Sequence, residues 1–375
     1  MPTTSRAAVY ISPNVLKIEE FPLPKVQRDD GLLRMESCGV CGTDYSHYFG
    51  QMGGGKRLNA WKWDVITPFI LGHEPVGIIE EIGEAASKRW GVKKGDRVVV
   101  HAHYTCGRCA GCKSGGKCEL PGRFGGTQTE RPPALFGAFA DFLYLPPGVN
   151  VTKISKKVPP HIAAMFNSLA SGFNWAVETP ELEKGQSLVV LGPGQRGLAS
   201  VMAGRYIGAS FVAVTGMPSD DYKMALAKKL GADMTIDVTK EDPVAKVRDA
   251  TKGDGVDVVV DTTPYSAQAF MQGMEMLKPG GTLIVAGVKG PTNTVKEFSI
   301  DNMRSRSIWI RGVTAVPPAS QKRAVDLIEA GTFPLEMLSS HVFELKDTEQ
   351  ALLTLAGRIK GEKPLNIAIV PGKRS

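Results

Sequence analysis

Three groups of residues in this chain have the types and spacing that chemistry needs. The first is Cys38-Gly-Val-Cys41-Gly-Thr43-Asp44, followed further on by Leu-Gly-His73-Glu74-Pro. A thiolate, an imidazole and a carboxylate are side chains that hold a divalent transition metal, and three such ligands leave a position open for Lewis-acid work. Two cysteines at this spacing also suit a redox pair, or one working thiol beside a packing residue, so the spacing alone leaves the choice open. The second group is Cys106, Cys109, Cys112 and Cys118 in CGRCAGCKSGGKC. Four thiolates so close together suit one tetrahedral zinc with a closed shell, hence a structural site, with an iron–sulfur cluster as the alternative. The third is Gly192-x-Gly194-x-x-Gly197 in LVVLGPGQRGLAS. Glycines so placed allow a tight turn and let the backbone approach a dinucleotide's pyrophosphate at a helix N-terminus. Gln195 and Arg196 lie inside that turn.

The elements that must position these groups fall into two textures. Residues 1 to 168 contain short strand-like runs such as LLRMES, VGIIEEIG, GDRVVVHAHY and ADFLYLP, broken by Gly and Pro, which predicts an all-β, barrel-like domain with long loops. Residues 169 to 314 alternate strand-like runs (SLVVLG, SFVAVTG, DMTIDV, VDVVVDTT, GTLIVAG) with helix-length segments, which predicts α/β architecture, a doubly wound parallel sheet. Residues 315 to 375 carry two amphipathic helices and NIAIVP, expected to fold back on the first domain.

A chain of 375 residues, 42% hydrophobic and 22% charged, has the profile of a globular protein of two domains. Its net charge of +7 is spread through alternating acids and bases, so a nucleic-acid partner is not expected. No apolar run reaches membrane-spanning length, and Pro13, Asn14, Glu19 and Glu20 interrupt any signal-peptide core. The reading is a cytoplasmic protein whose reduced cysteines serve metals or catalysis.

Taken together and in this order, CGTD, GHEPVG, the four-cysteine lobe, the glycine fingerprint and LKPGGTLIVAG resemble the zinc-dependent medium-chain alcohol dehydrogenases over nearly the whole chain. The resemblance implies a GroES-like catalytic barrel joined to a Rossmann cofactor domain, and hydride transfer between NAD(P) and an alcohol, aldehyde or ketone. It implies Cys41 and His73 as catalytic-zinc ligands with Glu74 behind or on the metal, Thr43 passing the alcohol proton, and Asp44 orienting the histidine. Cys38 is then a bystander.

Three positions depart from the family pattern. The third ligand, usually Cys or an acid, aligns with Asn167, a poorer zinc ligand because it brings no charge. The relay histidine's place is taken by Ser46, with His47 next to it. The acid that binds the ribose hydroxyls in NAD-preferring relatives is Gly216, which points to NADP with Ser219 and Lys223 as contacts. Asp220 and Asp221 argue for NAD unless they cap the next helix. Trp61 and Trp63, in the loop between the ligand motifs, suggest a hydrophobic or aromatic substrate, with Tyr45, Phe166 and Trp309 as further wall candidates. The alternatives are a reductase of the same superfamily without catalytic zinc, supported by Asn167, and a non-catalytic dinucleotide-binding protein. The family implies a homodimer or homotetramer, with SIWIRG as the interface strand.

Overall fold

The apolar runs of the second texture become strands Ser187–Leu191, Phe211–Gly216, Met234–Asp237, Val256–Asp261 and Leu277–Val285, with Trp309–Gly312 as the sixth. In the computed structural model, which describes residues 2–51, 67–290, 293–295 and 297–373, these six form one parallel sheet. In chain order the strands run 3-2-1-4-5-6 across the sheet. This is the doubly wound dinucleotide-binding order, whose ligand crevice lies at the carboxyl ends where the order reverses. Leu188, Val189 and Val190 are all fully buried, which is why the central strand reads as a continuous apolar run and not as an alternating one. Gln195–Ile207, Asp221–Lys229, Pro243–Ala250, Ala267–Met276 and the short Ile300–Ser305 are the helices of the five crossovers.

The barrel texture resolves into an eight-strand system and a smaller three-strand sheet. The main path runs Ser339–Glu344, Asn366–Val370, Gly31–Gly39, Pro75–Ile82, Arg97–Thr105 and Gly122–Arg123. Phe142–Leu145 pairs with Gly31–Gly39, and Gly148–Lys153 with Arg97–Thr105. In LLRMES, Leu32, Leu33 and Met35 are buried and Arg34 is exposed, meeting Glu80 on the neighbouring strand at 3.0 Å. Phe69, Phe124, Phe139, Leu143 and Leu145 fill the core between the sheets. The C-terminal strand pairs Ala368 with Gly39 and Ile369 with Cys38, so the chain's end braces the strand that leads to Cys41.

The chain divides into two compact units, residues 1–166 with 335–375, and residues 167–334. The second boundary lies later than the expected 315, because helix Pro318–Ala330 is tied to the sheet unit. Ser320 Oγ donates to Glu178, and the Arg323 guanidinium lies 5.4 Å from the Phe173 ring centre. Among the described residues no helix is long and apolar enough to cross a membrane.

Candidate functional site

Cys41 follows directly on strand Gly31–Gly39 and caps helix Gly42–Tyr48. The cap is reciprocal in the backbone sense: Asp44 Oδ2 accepts the Cys41 N–H at 2.9 Å. The other oxygen, Oδ1, lies 3.2 Å from His73 Nδ1. His73 enters from the turn before strand Pro75–Ile82, where Gly72 has φ +87 and a Cβ would come within 2.5 Å of the Phe139 ring. The ligand atoms of Cys41, His73 and Glu74 all lie within 4.8 Å of one another, and all three residues are buried. Room for the Glu74 carboxylate depends on Gly39, since a Cβ there would sit 2.3 Å from Oε2. Gly39 sits inside the Cys38–Asp44 motif, but the motif's spacing gives it no such role.

Asp44 governs the charge on the His73 ring. Burial and Arg123 push the His73 pKa down, but the charge of Asp44 and its hydrogen bond push it up by more, and the net shift is upward. Burial works against the Asp44 carboxylate, yet His73 and the Cys41 amide hold it below its ordinary value. Because a carboxylate can only accept, Nδ1 donates to Asp44, and Nε2 faces Thr43, the orientation in which a histidine can ligate a metal through Nε2. A thiolate, an imidazole and a carboxylate in this geometry fit zinc.

Thr43 Oγ1 lies 3.4 Å from His73 Nε2 and accepts from Arg123 Nη2 at 3.2 Å. Arg123 was not among the residues expected from sequence; it stands in no recognisable motif. Ser46 Oγ is drawn back to the Gly42 carbonyl at 2.9 Å, a local helix bond. The His47 ring is buried edge-on against Phe69, its two nitrogens without a hydrogen-bond partner among the described residues. Burial first, then Arg123, push its pKa down to about 4. Neither Ser46 nor His47 is hydrogen-bonded to Thr43 among the described residues. Cys38 is buried on its strand with its thiol pKa pushed well up by burial. Asn167 begins the sheet unit on helix Phe166–Phe173 and is buried. Trp61 and Trp63 lie outside the described residues. Trp309 is 60% exposed on the edge strand, Phe166 is a core residue, and Tyr45 leans on Phe49.

The sulfurs of Cys106, Cys109, Cys112 and Cys118 likewise lie within 4.8 Å of one another. Backbone amides point at them: Cys106 N–H to Cys118 at 3.2 Å, and the amides of Cys109, Cys112 and Glu119 to neighbouring sulfurs at 3.4 Å. Such donors favour the thiolate, and the amides of Arg108 and Cys109 help draw the Cys106 thiol down to about 6. Arg108 anchors the lobe to the barrel through both oxygens of Asp29, at 2.8 and 3.1 Å, and through Asp30.

In the sheet unit, Gly192 adopts φ +94, and a Cβ on Gly197 would come within 2.0 Å of the Gly192 carbonyl. Nothing lies within 4 Å of the corresponding position on Gly194, which caps helix Gln195–Ile207 without a side-chain bond. That open space beside Gly194 at the helix start is what close approach of a phosphate to the backbone needs. The Arg196 guanidinium lies 5.3 Å from the Trp175 ring centre. Gly216 ends its strand buried beneath Met224, whose sulfur would be 2.8 Å from an added Cβ. Asp220 turns inward to the Met217 amide and pairs with Lys223 at 2.9 Å, while Asp221 opens the helix that follows; Ser219 is exposed.

Residues 27–156 match the family model described as the alcohol dehydrogenase GroES-like domain, and residues 197–330 match that of the zinc-binding dehydrogenases. A probable alcohol dehydrogenase of Mycobacterium tuberculosis is 37% identical over 98% of both chains. The chain belongs to the zinc-type medium-chain dehydrogenase/reductase family. The likeness extends to an erythritol/L-threitol dehydrogenase of Mycolicibacterium smegmatis, 29% identical over 99% of both chains. A solved alcohol dehydrogenase from Thermotoga maritima matches this medium-chain dehydrogenase with a TM-score of 0.84 and 27% identity, over 99% of this chain and 100% of that one. The family accounts for both lobes at once: the GroES-like model spans the two cysteine groups, and the second model covers most of the sheet unit.

Proposed function

We propose that this NAD(P)-linked oxidoreductase, acting on CH–OH groups, interconverts an alcohol and its aldehyde or ketone at a zinc held by Cys41, His73 and Glu74. A second zinc on Cys106, Cys109, Cys112 and Cys118 is structural. The supporting observation is the convergence of the first three ligand atoms, with Asp44 fixing the imidazole. When bound, zinc would supply Lewis acidity that eases loss of an alcohol's proton near neutral pH, and the nicotinamide would supply the hydride acceptor. The chain's own residues do the rest. Cys41 and Glu74 bring two negative charges to the dication. Three donors from one unit leave a position open, so Asn167 is not needed as a ligand. The Thr43 hydroxyl, set between His73 Nε2 and Arg123, is placed to take and pass on the proton. In the sheet unit, Gly194 and the amides after it receive the pyrophosphate.

The cofactor reading is NADP, supported by Gly216 and by Asp220, whose carboxylate is committed to Met217 and Lys223. Lys223 is thereby partly neutralised, which leaves Ser219 as the simpler 2′-phosphate contact. The hydrophobic or aromatic substrate suggested by Trp61 and Trp63 gains no support from the described residues. Six free cysteines suit a reducing, cytoplasmic setting. The exposed apolar edge of Trp309–Gly312, with Trp309 and Ile310 outward, supports self-association into a dimer or tetramer through that strand.

The test is metal content with turnover. Two zincs per chain and hydride transfer with a panel of alcohols are expected of the wild type. Cys41→Ala is expected to keep one zinc and its circular dichroism spectrum and lose hydride transfer; full retained activity refutes the assignment.

A further inference from the structure

A fully buried carboxylate in the sheet unit is paired with a lysine from a different loop. Asp261 ends strand Val256–Asp261 and stands in register opposite Leu191, the residue before the glycine turn. Its Oδ1 accepts from the Thr263 amide at 3.0 Å and from the Thr263 hydroxyl at 2.6 Å, which closes the turn after the fourth strand. Lys289, from the loop after strand Leu277–Val285, brings Nζ to 2.6 Å from the other oxygen, Oδ2. The same ammonium donates to the Thr263 carbonyl at 2.7 Å and to Thr263 Oγ1 at 3.0 Å. The turn is already closed without the lysine, so what the lysine adds is a tie between the two loops.

Those loops meet backbone to backbone. The amides of Ala286 and Gly287 donate to the Asp261 carbonyl at 3.0 and 2.9 Å, and a Cβ on Gly287 would sit 2.2 Å from the Thr263 carbonyl oxygen. The Tyr265 amide donates to the Val288 carbonyl at 2.9 Å from φ +52, a left-handed conformation that costs a bulky residue energy and marks functional positions. Both side chains are exposed. On the opposite side, Thr262 Oγ1 donates to the Leu191 and Gly192 carbonyls at 2.9 and 3.0 Å, tying the same turn to the glycine loop. The fourth strand lies beside the first, where the strand order reverses, so these loops border the ligand crevice. A buried ion pair adds little stability that apolar side chains would not, and its better-attested use is to fix register. Here it registers two loops at the mouth of that crevice.

We propose that Asp261 and Lys289 are positioning residues for the nicotinamide half of the dinucleotide, holding the loops after the fourth and fifth strands at the separation that half requires. The inference rests on the reading of the sheet unit as an NAD(P) site. In a doubly wound sheet the glycine turn takes the pyrophosphate and the end of the second strand takes the adenosine ribose, which leaves the fourth and fifth strands to the other nucleotide. The ammonium faces three protein oxygens, so it acts on the cofactor through Thr263 and Val288 and not by contact.

The test compares the zinc-containing wild type with the double variant Asp261→Asn, Lys289→Met. The pair is removed together because one partner left alone would be an uncompensated buried charge, and asparagine keeps an oxygen for the Thr263 donors. Dissociation constants are measured for NADPH and NADH and for their adenosine-half fragments 2′,5′-ADP and 5′-AMP, with the emission of the bound dihydronicotinamide and kcat for the best substrate of an alcohol panel. In the double variant kcat is expected to fall roughly tenfold or more, as misplacement of a reacting group does, and the bound emission to move toward that of free cofactor. Fragment affinity is expected to stay within about twofold of wild type, since the first three strands are untouched. A lowered Tm with kcat and emission unchanged would make the pair merely structural and overturn the proposal. So would equal weakening of dinucleotides and fragments. A wild type that binds neither dinucleotide nor fragment would instead overturn the NAD(P) reading, and the proposal with it. Should the double variant fail to fold, Lys289→Arg, which keeps the charge but changes the reach and shape of its head, decides on the same measurements: wild-type kcat and emission overturn the proposal, and a partial loss with fragment affinity retained supports it.

Discussion

Replacing Asp44 by Asn isolates one carboxylate without emptying its site. The side chain is fully buried and makes two bonds, to the Cys41 amide at 2.9 Å and to His73 Nδ1 at 3.2 Å. Asparagine keeps an oxygen for the Cys41 amide, so the start of the helix is retained. It then presents an N–H to Nδ1, which must become an acceptor. The imidazole proton moves to Nε2, the nitrogen that has to be bare to hold a metal. One negative charge near the dication is lost as well. Loss of such a supporting partner typically weakens metal binding ten- to hundredfold, about 1.4 to 2.8 kcal/mol. Competition with a chromophoric chelator reads this directly, because the four-cysteine zinc serves as an internal standard that the substitution does not touch. The expected result is one zinc released at a markedly lower chelator concentration, with hydride transfer falling in step and recovering with added zinc. Two zincs held with wild-type affinity would refute the reasoning, since neither the tautomer nor the charge would then matter.

The buried His47 predicts a pH effect with a definite sign. Its folded pKa of about 4 lies below the ordinary 6.5, so the unfolded chain binds the extra proton between those values and stability falls as pH drops from 6.5 toward 4, by about 3 kcal/mol. An NMR titration of the ring should find its midpoint near 4; a midpoint at 6 or above would contradict the burial argument. For the cofactor, Gly216→Asp places a carboxylate where NAD-preferring relatives carry one, and Met224 must shift to admit it. The ratio of kcat/KM for NADP over NAD is expected to drop roughly tenfold or more through like-charge repulsion, and an unchanged ratio would remove Gly216 from the account of cofactor choice.

Much of the site was legible in the residues because the chemistry is local. Cys41, Thr43 and Asp44 are neighbours in sequence and His73 adjoins Glu74, so residue type and spacing were enough to nominate them. The four cysteines and the glycine turn were legible for the same reason: ligand spacing and a φ near +90 are properties of short segments. Ser46 and His47 show where local reading stops. The serine hydroxyl can satisfy itself on the preceding turn, and whether the imidazole meets a partner depends on what the barrel folds over it, here the Phe69 ring.

What the sequence determined by itself was the family, the two metal-type clusters, the parallel sheet and the glycine turn, since apolar periodicity and short motifs carry that information. Only the tertiary structure decided how the first cluster is completed. Gly39, Glu74 and Ala164 come from three separate segments, and the space that admits the carboxylate exists only where they meet. Arg123 reaches Thr43 from a strand registered on His103 and Tyr104, and the domain boundary follows helix Pro318–Ala330 to the sheet because of Glu178 and Phe173. Each is a contact between residues far apart in the chain, fixed by strand register and packing, and composition and spacing do not encode such distances.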